Sequence, residues 1–419
     1  MIPPSPGGTP SLATTAGSTR LAGLDVLRGF ALLGIVVVNS TYFASAFHGS
    51  GVADPAVATA ADRAVSALTT LLFETKFYLF FSFLFGYSFA LQRLSAERRG
   101  ARLAPAFLRR LAALFVIGAA HAVLLFTGDI LTTYALLGLV LLAAGNLRAR
   151  TAATAACILL ALTAAAYAGL GALQAAYGPP STLDARAATA QARHAADLLA
   201  DGPAQVIAAH LQELPDTAAL LLLFQAPSAL VMFLFGLAAA RHGLLTRPVS
   251  AGTLRRIQLI GFPVGLAGAA LYAQATTHWS GTPGETYALA IDVLTAPALT
   301  AAYAATLLRL HRGRHGHRIT SVLAPAGRMA LSNYLTQSAV LAVVFTGYGF
   351  AAIGRLAPAA VLTLTLALYA LQLWASAHWM RTHAYGPLEW GLRAVTHLAL
   401  PRWRTAPRAR GTGPHRRGA

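Results

Sequence analysis

Arg148-Ala149-Arg150, followed by TAATAACILLALTAAAYAGLGAL at 151–173, decides the architecture of this chain. Two arginines stand at one end, and the 23 positions that follow carry no charge. A bilayer core asks a helix for about 20 consecutive apolar residues. A soluble amphipathic helix of that length would show a polar stripe at every third or fourth position, and none is present. The segment therefore reads as a membrane span with a basic flank.

Stretches of the same kind occur at 24–47, 65–91, 105–126, 129–146, 152–173, 217–240, 255–275, 286–308, 325–346 and 356–378. Of the 32 Lys and Arg, 26 fall in alternate gaps between them, and only Arg63, Arg186, Arg193 and Arg355 fall in the other gaps. Cytoplasmic loops collect Lys and Arg, so the rich side is inside and both termini are cytoplasmic. The fold expected is all-α, a polytopic membrane helix bundle of about ten transmembrane helices. Lys76 and Arg328 remain, each inside a span.

The composition agrees: 56% of the 419 residues are hydrophobic and 11% charged, too apolar for a soluble core to hide. The net charge of +18 is dispersed over short loops and a tail, which argues against nucleic acid as a partner and for a positive-inside signal with attraction to anionic lipid. A single cysteine, Cys157, lies in an apolar stretch, so no disulfide framework exists. Residues 1–19, rich in Pro, Gly, Ser and Thr, read as a disordered cytoplasmic leader. Residues 20–397 read as one transmembrane domain with an outer helical cap at 174–216, and 398–419 as a basic disordered tail. Ala44-Ser45-Ala46 imitates a signal-peptidase site, but the run before it is long for a signal peptide. His311, His315 and His317 lie among arginines and read as a solvated loop, so no metal is expected. An internal echo relates Leu72-Phe73-Glu74 and Leu84-Phe85-Gly86 to Leu223-Phe224-Gln225 and Leu234-Phe235-Gly236, with spacings that differ by one residue.

Chemistry is sought among the polar groups that lipid excludes. Towards the cytoplasm lie Asp25, Arg28, Arg109, Arg110, Arg328, Ser332, Asn333, Glu389 and Arg393. Towards the outside lie Asn39, His48, Glu74, Lys76, His121, Asp129 and Asp292. Asp25 and Arg28 share a helix face at i, i+3, which suits either an ion pair at the membrane boundary or a grip on phosphate. Arg328, unable to shed its proton and set inside an apolar segment, is the strongest anion-binding candidate. His121 is the histidine set deepest in a span, with an imidazole that titrates near working pH. Counting outward from a turn at Thr127-Gly128 puts Asp129 about two helical turns above it, within reach only through water or a bent hairpin. Glu74 and Lys76, two apart, face different neighbours: Glu74 suits His121, while Lys76 suits Asp129 or Asp292.

Arg20 to Asn39, Glu74 to Gly86, His121 with Gly128-Asp129-Ile130-Leu131, Gly327 to Gln337, and Gly386-Pro387-Leu388-Glu389-Trp390 with Arg393 together resemble the YeiB-like family of bacterial inner-membrane proteins of unknown function. That family is similar to the transmembrane acyltransferases, whose Asp-x-x-Arg-Gly motif looks like Asp25 to Gly29 and whose inner arginines resemble Arg109-Arg110. The resemblance implies transfer of an acyl group from cytoplasmic acyl-CoA to an outer hydroxyl or amine on a small molecule, glycan or lipid. It implies an acyl-CoA site at Asp25, Arg28, Arg109, Arg110, Arg328 and Asn333, and catalysis among His121, Asp129, Glu74, His48 and Asn39. Fourteen residues after Asp25, where many such enzymes place a histidine, stands Asn39. The heparan-glucosaminide acetyltransferase branch is similar in having Asn there and a His in the next outer loop, for which His48 is the counterpart. The base is then His121 or His48. A proton-coupled carrier of a small solute is the alternative, and a membrane scaffold or signalling protein the third.

The arginine alternation predicts that an epitope tag at position 195 is labelled from outside intact cells, and that tags at 312–317 or after 405 are labelled only after permeabilisation. A cytoplasmic tag at 195 would overturn the ten-span arrangement.

Overall fold

A computed structural model describes residues 12–178, 182–244 and 249–405. Among them the backbone forms fifteen α-helices and one π-helical turn, with no strand. The helices are α1 (Leu12–Ala44), α2 (Ala60–Leu72), α3 (Lys76–Arg98), α4 (Ala104–Leu124), α5 (Ile130–Ala144), α6 (Ala149–Tyr177), α7 (Thr182–Asp201), α8 (Pro203–Leu220), α9 (Ala226–Arg241), α10 (Ala251–His278), α11 (Pro283–Arg312), α12 (Gly316–Arg328), α13 (Ala330–Phe345), α14 (Pro358–Trp379) and α15 (Pro387–His397). An all-α product follows from the solvent, because a backbone inside hydrocarbon must satisfy its own hydrogen bonds.

Eight helical segments among the described residues are long and apolar enough to cross a membrane, and the two shorter apolar helices, α5 and α13, coincide with the remaining two expected spans. Helix starts carry the expected chemistry. Pro stands in the first turn of α4, α8, α11, α14 and α15, where its missing N–H costs nothing. Thr59 and Asp62 form a capping box on α2, and Asp129 and Ser250 cap α5 and α10.

Three expectations change. The stretch expected at 325–346 is not one helix: the chain breaks at Met329, and α12 begins at Gly316. Helix α1 starts at Leu12, inside the presumed leader, while residues 1–11 lie outside the described residues. The first part of the presumed tail is fastened down: Ala384 N donates to Trp403 O, Thr405 N donates to Thr382 O, and Trp403 meets the rings of Trp379 and Trp390 edge-on. Residues 406–419 lie outside the described residues. The outer cap at 174–216 consists of the end of α6, α7 and α8, with α8 running through the π turn Leu221–Gln225 into α9.

Glycines decide which helices meet. Gly29 of α1 and Gly327 of α12 lie at one crossing, where a Cβ on Gly29 would stand 2.2 Å from Leu323 O and one on Gly327 1.8 Å from Asp25 O. The glycines ending the two halves of the internal echo, Gly86 and Gly236, meet at the contact of α3 with α9. A Cβ on Gly236 would come within 2.3 Å of Phe83 O and 2.6 Å of Tyr87 N, backbone atoms that cannot rotate away. Small residues at such crossings are what packing in lipid requires. Gly236→Val should therefore destabilise the bundle by about 3 kcal/mol or more, read as a fall in the thermal midpoint of the detergent-solubilised protein. Gly169→Ala, a helix-interior position with nothing within 4 Å of a Cβ, should not lower the midpoint.

Candidate functional site

A cavity of about 340 Å³ opens at the outer end of α1 and α2. Its polar wall includes His48, Glu74, Asp54, Arg63 and Glu285, and its floor reaches Val37 of α1. His48 Nε2 stands 3.7 Å from Glu74 Oε1, and the imidazole meets the Tyr42 ring edge-on at 4.4 Å between centroids. The structure thus gives Glu74 to His48 and not to His121. His48 belongs to the loop after α1, which turns through Gly49 and Gly51, both at positive φ. Burial alone would drag its imidazole pKa down. The Glu74 carboxylate, with the charges of Asp54 and Glu285 behind it, outweighs burial and holds His48 above the ordinary imidazole value.

Glu74 sits where α2 gives way to α3. The chain turns there through Thr75 at φ 63° and ψ −40°, the centre of a γ-turn closed by Lys76 N donating to Glu74 O at 2.8 Å, a positive-φ conformation that costs a β-branched residue on the order of 1–3 kcal/mol. Lys76, wholly buried, pairs with wholly buried Asp292 of α11 at 3.0 Å, which resolves its two sequence-level alternatives in favour of Asp292.

His121 and Asp129 form a second pair. Their side chains touch directly, Nδ1 to Oδ1 at 2.9 Å, and both are buried. The expected two-turn separation is wrong because α4 ends at Leu124 and residues 125–128 fold back outside both helices, which sets Asp129, the cap of α5, beside the last turn of α4. Gly118 lets α5 approach, since a Cβ there would lie 2.6 Å from Asp129 Oδ2. Asp129 Oδ2 also accepts from Thr132 N to cap α5. His121 Nε2 is buried without a hydrogen-bond partner, and the Tyr334 ring stands 5.1 Å away. Neither His121 nor Asp129 lines the outer cavity, and neither does half-buried Asn39.

At the cytoplasmic end Arg28 donates to Asp25 Oδ1 at 2.8 Å and to Ser88 Oγ at 2.6 Å. Arg110, half-buried, feels the charges of Arg28, Arg393 and Glu389 and makes no ion pair among the described residues. Arg328 acts on Asp25 from the other side, but it is exposed rather than buried. The break at Met329 leaves Arg328 at the open end of α12, where it donates to Ala384 O. Arg109 turns away to Thr396 O. Asn333 is buried between α13 and α14, donating to Ala326 O and Ser376 Oγ, so its amide faces helices and not the arginines. Glu389 caps α13 by accepting from Leu331 N, Ser332 N and Ser332 Oγ. The cluster brings four arginines, Arg28, Arg110, Arg328 and Arg393, against two carboxylates, a balance that fits a phosphate-bearing ligand.

Asp54, Arg63 and Glu285 were not singled out as site residues from the sequence. Asp54 sits in the connection before α2, Arg63 in the first turn of α2, and Glu285 reads as a first-turn acid of α11, whose Oε2 accepts from Gly281 N. Nothing in their spacing distinguishes them from ordinary loop charges.

Residues 239–399 match the family described as "Protein of unknown function (DUF418)". The chain is 32% identical over 411 residues to the uncharacterised protein YxaH of Bacillus subtilis (strain 168), covering 93% of this chain and 97% of that one. It is 30% identical to an uncharacterised 39.9 kDa protein in the amylase 3′ region of Bacillus acidopullulyticus, covering 90% and 94%. It is 27% identical to the uncharacterised protein YeiB of Escherichia coli (strain K12), covering 90% and 96%. No solved structure matches the chain.

The raised pKa of His48 carries a sign. Its pairing with Glu74 stabilises the outer loop fully below the ordinary imidazole value, and that contribution is lost as pH rises through the higher folded value. Hydrogen exchange in residues 45–53, corrected for intrinsic rate, should therefore be slower at about pH 5.5 than at about pH 8.5. Glu74→Gln should flatten the difference, and an unchanged pH dependence in that variant would show that the pair does not hold the loop.

Proposed function

The chain belongs to the YeiB-like family of proteins of unknown function (DUF418), and from that premise and the outer cavity we propose that it is a membrane-bound acyltransferase of the bacterial inner membrane. It moves an acyl group from cytoplasmic acyl-CoA to a hydroxyl or amine acceptor held in the outer cavity. The observation that carries the reading is the His48–Glu74 pair, a histidine and carboxylate that both line a cavity large enough for a small acceptor. Glu74 on the Nε2 side orients the imidazole, and Nδ1 takes the proton. The acceptor oxygen or nitrogen loses its proton to His48 and attacks the thioester carbonyl carbon. The resulting tetrahedral adduct collapses by breaking the C–S bond, and the departing thiolate takes the proton back from His48.

The inner arginines supply the other end of the reaction. In this reading Arg110 holds a CoA phosphate, which is supported by Arg28 and Arg393 around it and by its lack of an ion pair among the described residues, with Arg328 exposed beside Asp25. From Arg28 to Val37 on the cavity floor is nine residues of one helix, about 14 Å at 1.5 Å per residue, a distance that an extended pantetheine arm covers. His121–Asp129, lying outside the cavity, supports the bundle in this reading.

A second reading rests on His121 Nε2, which is buried and unpartnered, and on the deep Lys76–Asp292 pair: a proton-coupled carrier uses such groups. Sealed vesicles with labelled acyl-CoA confined to the cytoplasmic side separate the two. The expected result is label on an impermeant outer acceptor, with His48→Gln lowering turnover by roughly 100-fold or more and His121→Gln retaining it. Arg110→Gln should raise KM for acyl-CoA by about tenfold, the loss of one charge-assisted phosphate contact. No acyl transfer by wild type across a broad acceptor panel, together with pH-driven solute flux, would sink the enzyme and favour the carrier.

A further inference from the structure

Glu74 is carried by three residues that are not helical in the ordinary way, and their conformation is dictated from another helix. Thr75 Oγ1 donates to Asp292 Oδ2 at 2.6 Å and lies 2.6 Å from Glu74 O. Lys76 Nζ reaches both oxygens of Asp292, at 3.0 and 3.2 Å, and Thr70 O at 3.3 Å. Thr300 Oγ1 donates to Lys76 O, and Tyr303 OH donates to Leu72 O. Helix α11 thus grips the α2–α3 junction on both sides of Glu74, through Asp292, Thr300 and Tyr303.

A buried ion pair is a poor source of net stability, because desolvation offsets the attraction. A threonine at positive φ persists only where its surroundings over-determine it. Both costs fall at residues adjacent to Glu74 or bonded to its neighbours. We propose that Asp292, through Thr75 and Lys76, is the positioning residue that aims Glu74 into the outer cavity at His48.

The proposal rests on the acyltransferase reading only for the role given to His48; the aiming itself is tested without turnover. The full-length protein in lipid nanodiscs, labelled with ¹⁵N-histidine, gives the titration midpoint of His48, assigned by the signal that His48→Gln removes. The groups facing His48 are Glu74, Asp54, Glu285 and Tyr42. Glu74→Gln sets the midpoint expected when the Glu74 charge is gone, lower than wild type. Thr75→Val removes the link to Asp292 while keeping the side-chain shape, and should bring the midpoint down to that of Glu74→Gln. Thr75→Ser should restore it. The pair Lys76→Met with Asp292→Leu, which leaves neither an unpaired buried charge nor an acceptor for Thr75 Oγ1, should act like Thr75→Val.

A wild-type midpoint in either Thr75→Val or the double variant would overturn the proposal, because Glu74 would then keep its place without the clamp. Thr75→Val keeps every buried charge paired, so the test stands even if the double variant fails to fold. Absence of acyl transfer leaves this result untouched, and an unmoved midpoint leaves the acyltransferase reading with Glu74 held by other means.

Discussion

A helix that breaks inside an apolar layer frees backbone carbonyls, and no water is there to take them. The α2–α3 junction lives under that constraint. The oxygens that the end of α2 leaves over, Thr70 O and Leu72 O, meet Lys76 Nζ and Tyr303 OH, and Thr300 Oγ1 donates to Lys76 O at the head of α3. Glu74 O accepts from Lys76 N at 2.8 Å, with Thr75 Oγ1 against it as well. Bringing a lysine to that depth requires a counter-ion, and Asp292 supplies it. The break therefore explains a charge pair at the centre of the bundle that would otherwise add desolvation cost with no return. It also explains why a carboxylate can sit in the middle of an inward-running span and still face an outer cavity.

Two histidine–carboxylate pairs in one bundle differ in how free each is to meet a ligand. His121 and Asp129 are in direct contact, buried, and bound into the cap of α5. His48 and Glu74 are further apart, half-buried, and line open space. A tight pair with a second structural duty is fixed in its geometry, whereas a looser pair at a cavity wall can exchange its partner for a ligand.

Much of this architecture was readable from the residues, and the failures have identifiable physical causes. Helix positions follow from runs of apolar residues, so even α5 and α13, too short to stand alone as spans, were visible as stretches at 129–146 and 325–346. Arg328 was misplaced because hydropathy does not sense a broken helix: the chain halts at Met329 while Ala, Leu and Met continue the apolar run. His121 and Asp129 seemed two turns apart because the count assumed that both helices reach the turn, whereas α4 stops at Leu124. The partners of Glu74 and Lys76 were undetermined for a different reason. Which of several buried polar groups meet depends on helix order around the bundle, a long-range property that local periodicity does not encode. The recurrence of Leu, Phe and Gly in spans two and six was legible as a pattern, but its physical content, Gly86 against Gly236, required both helices in place.

That recurrence has a mechanical side. In each of the two inward-running segments the regular helix is interrupted above the crossing glycine: at Phe73 to Thr75 in one, twelve residues before Gly86 as counted from Glu74, and at the π turn Leu221–Gln225 in the other, eleven before Gly236. Below those points the two helices are locked backbone to backbone; above them each has a joint where the hydrogen-bond ladder changes register. The bundle is built like a pair of tongs, with its backbone-to-backbone crossing in the inner half and both interruptions of the helical ladder in the half that carries the cavity.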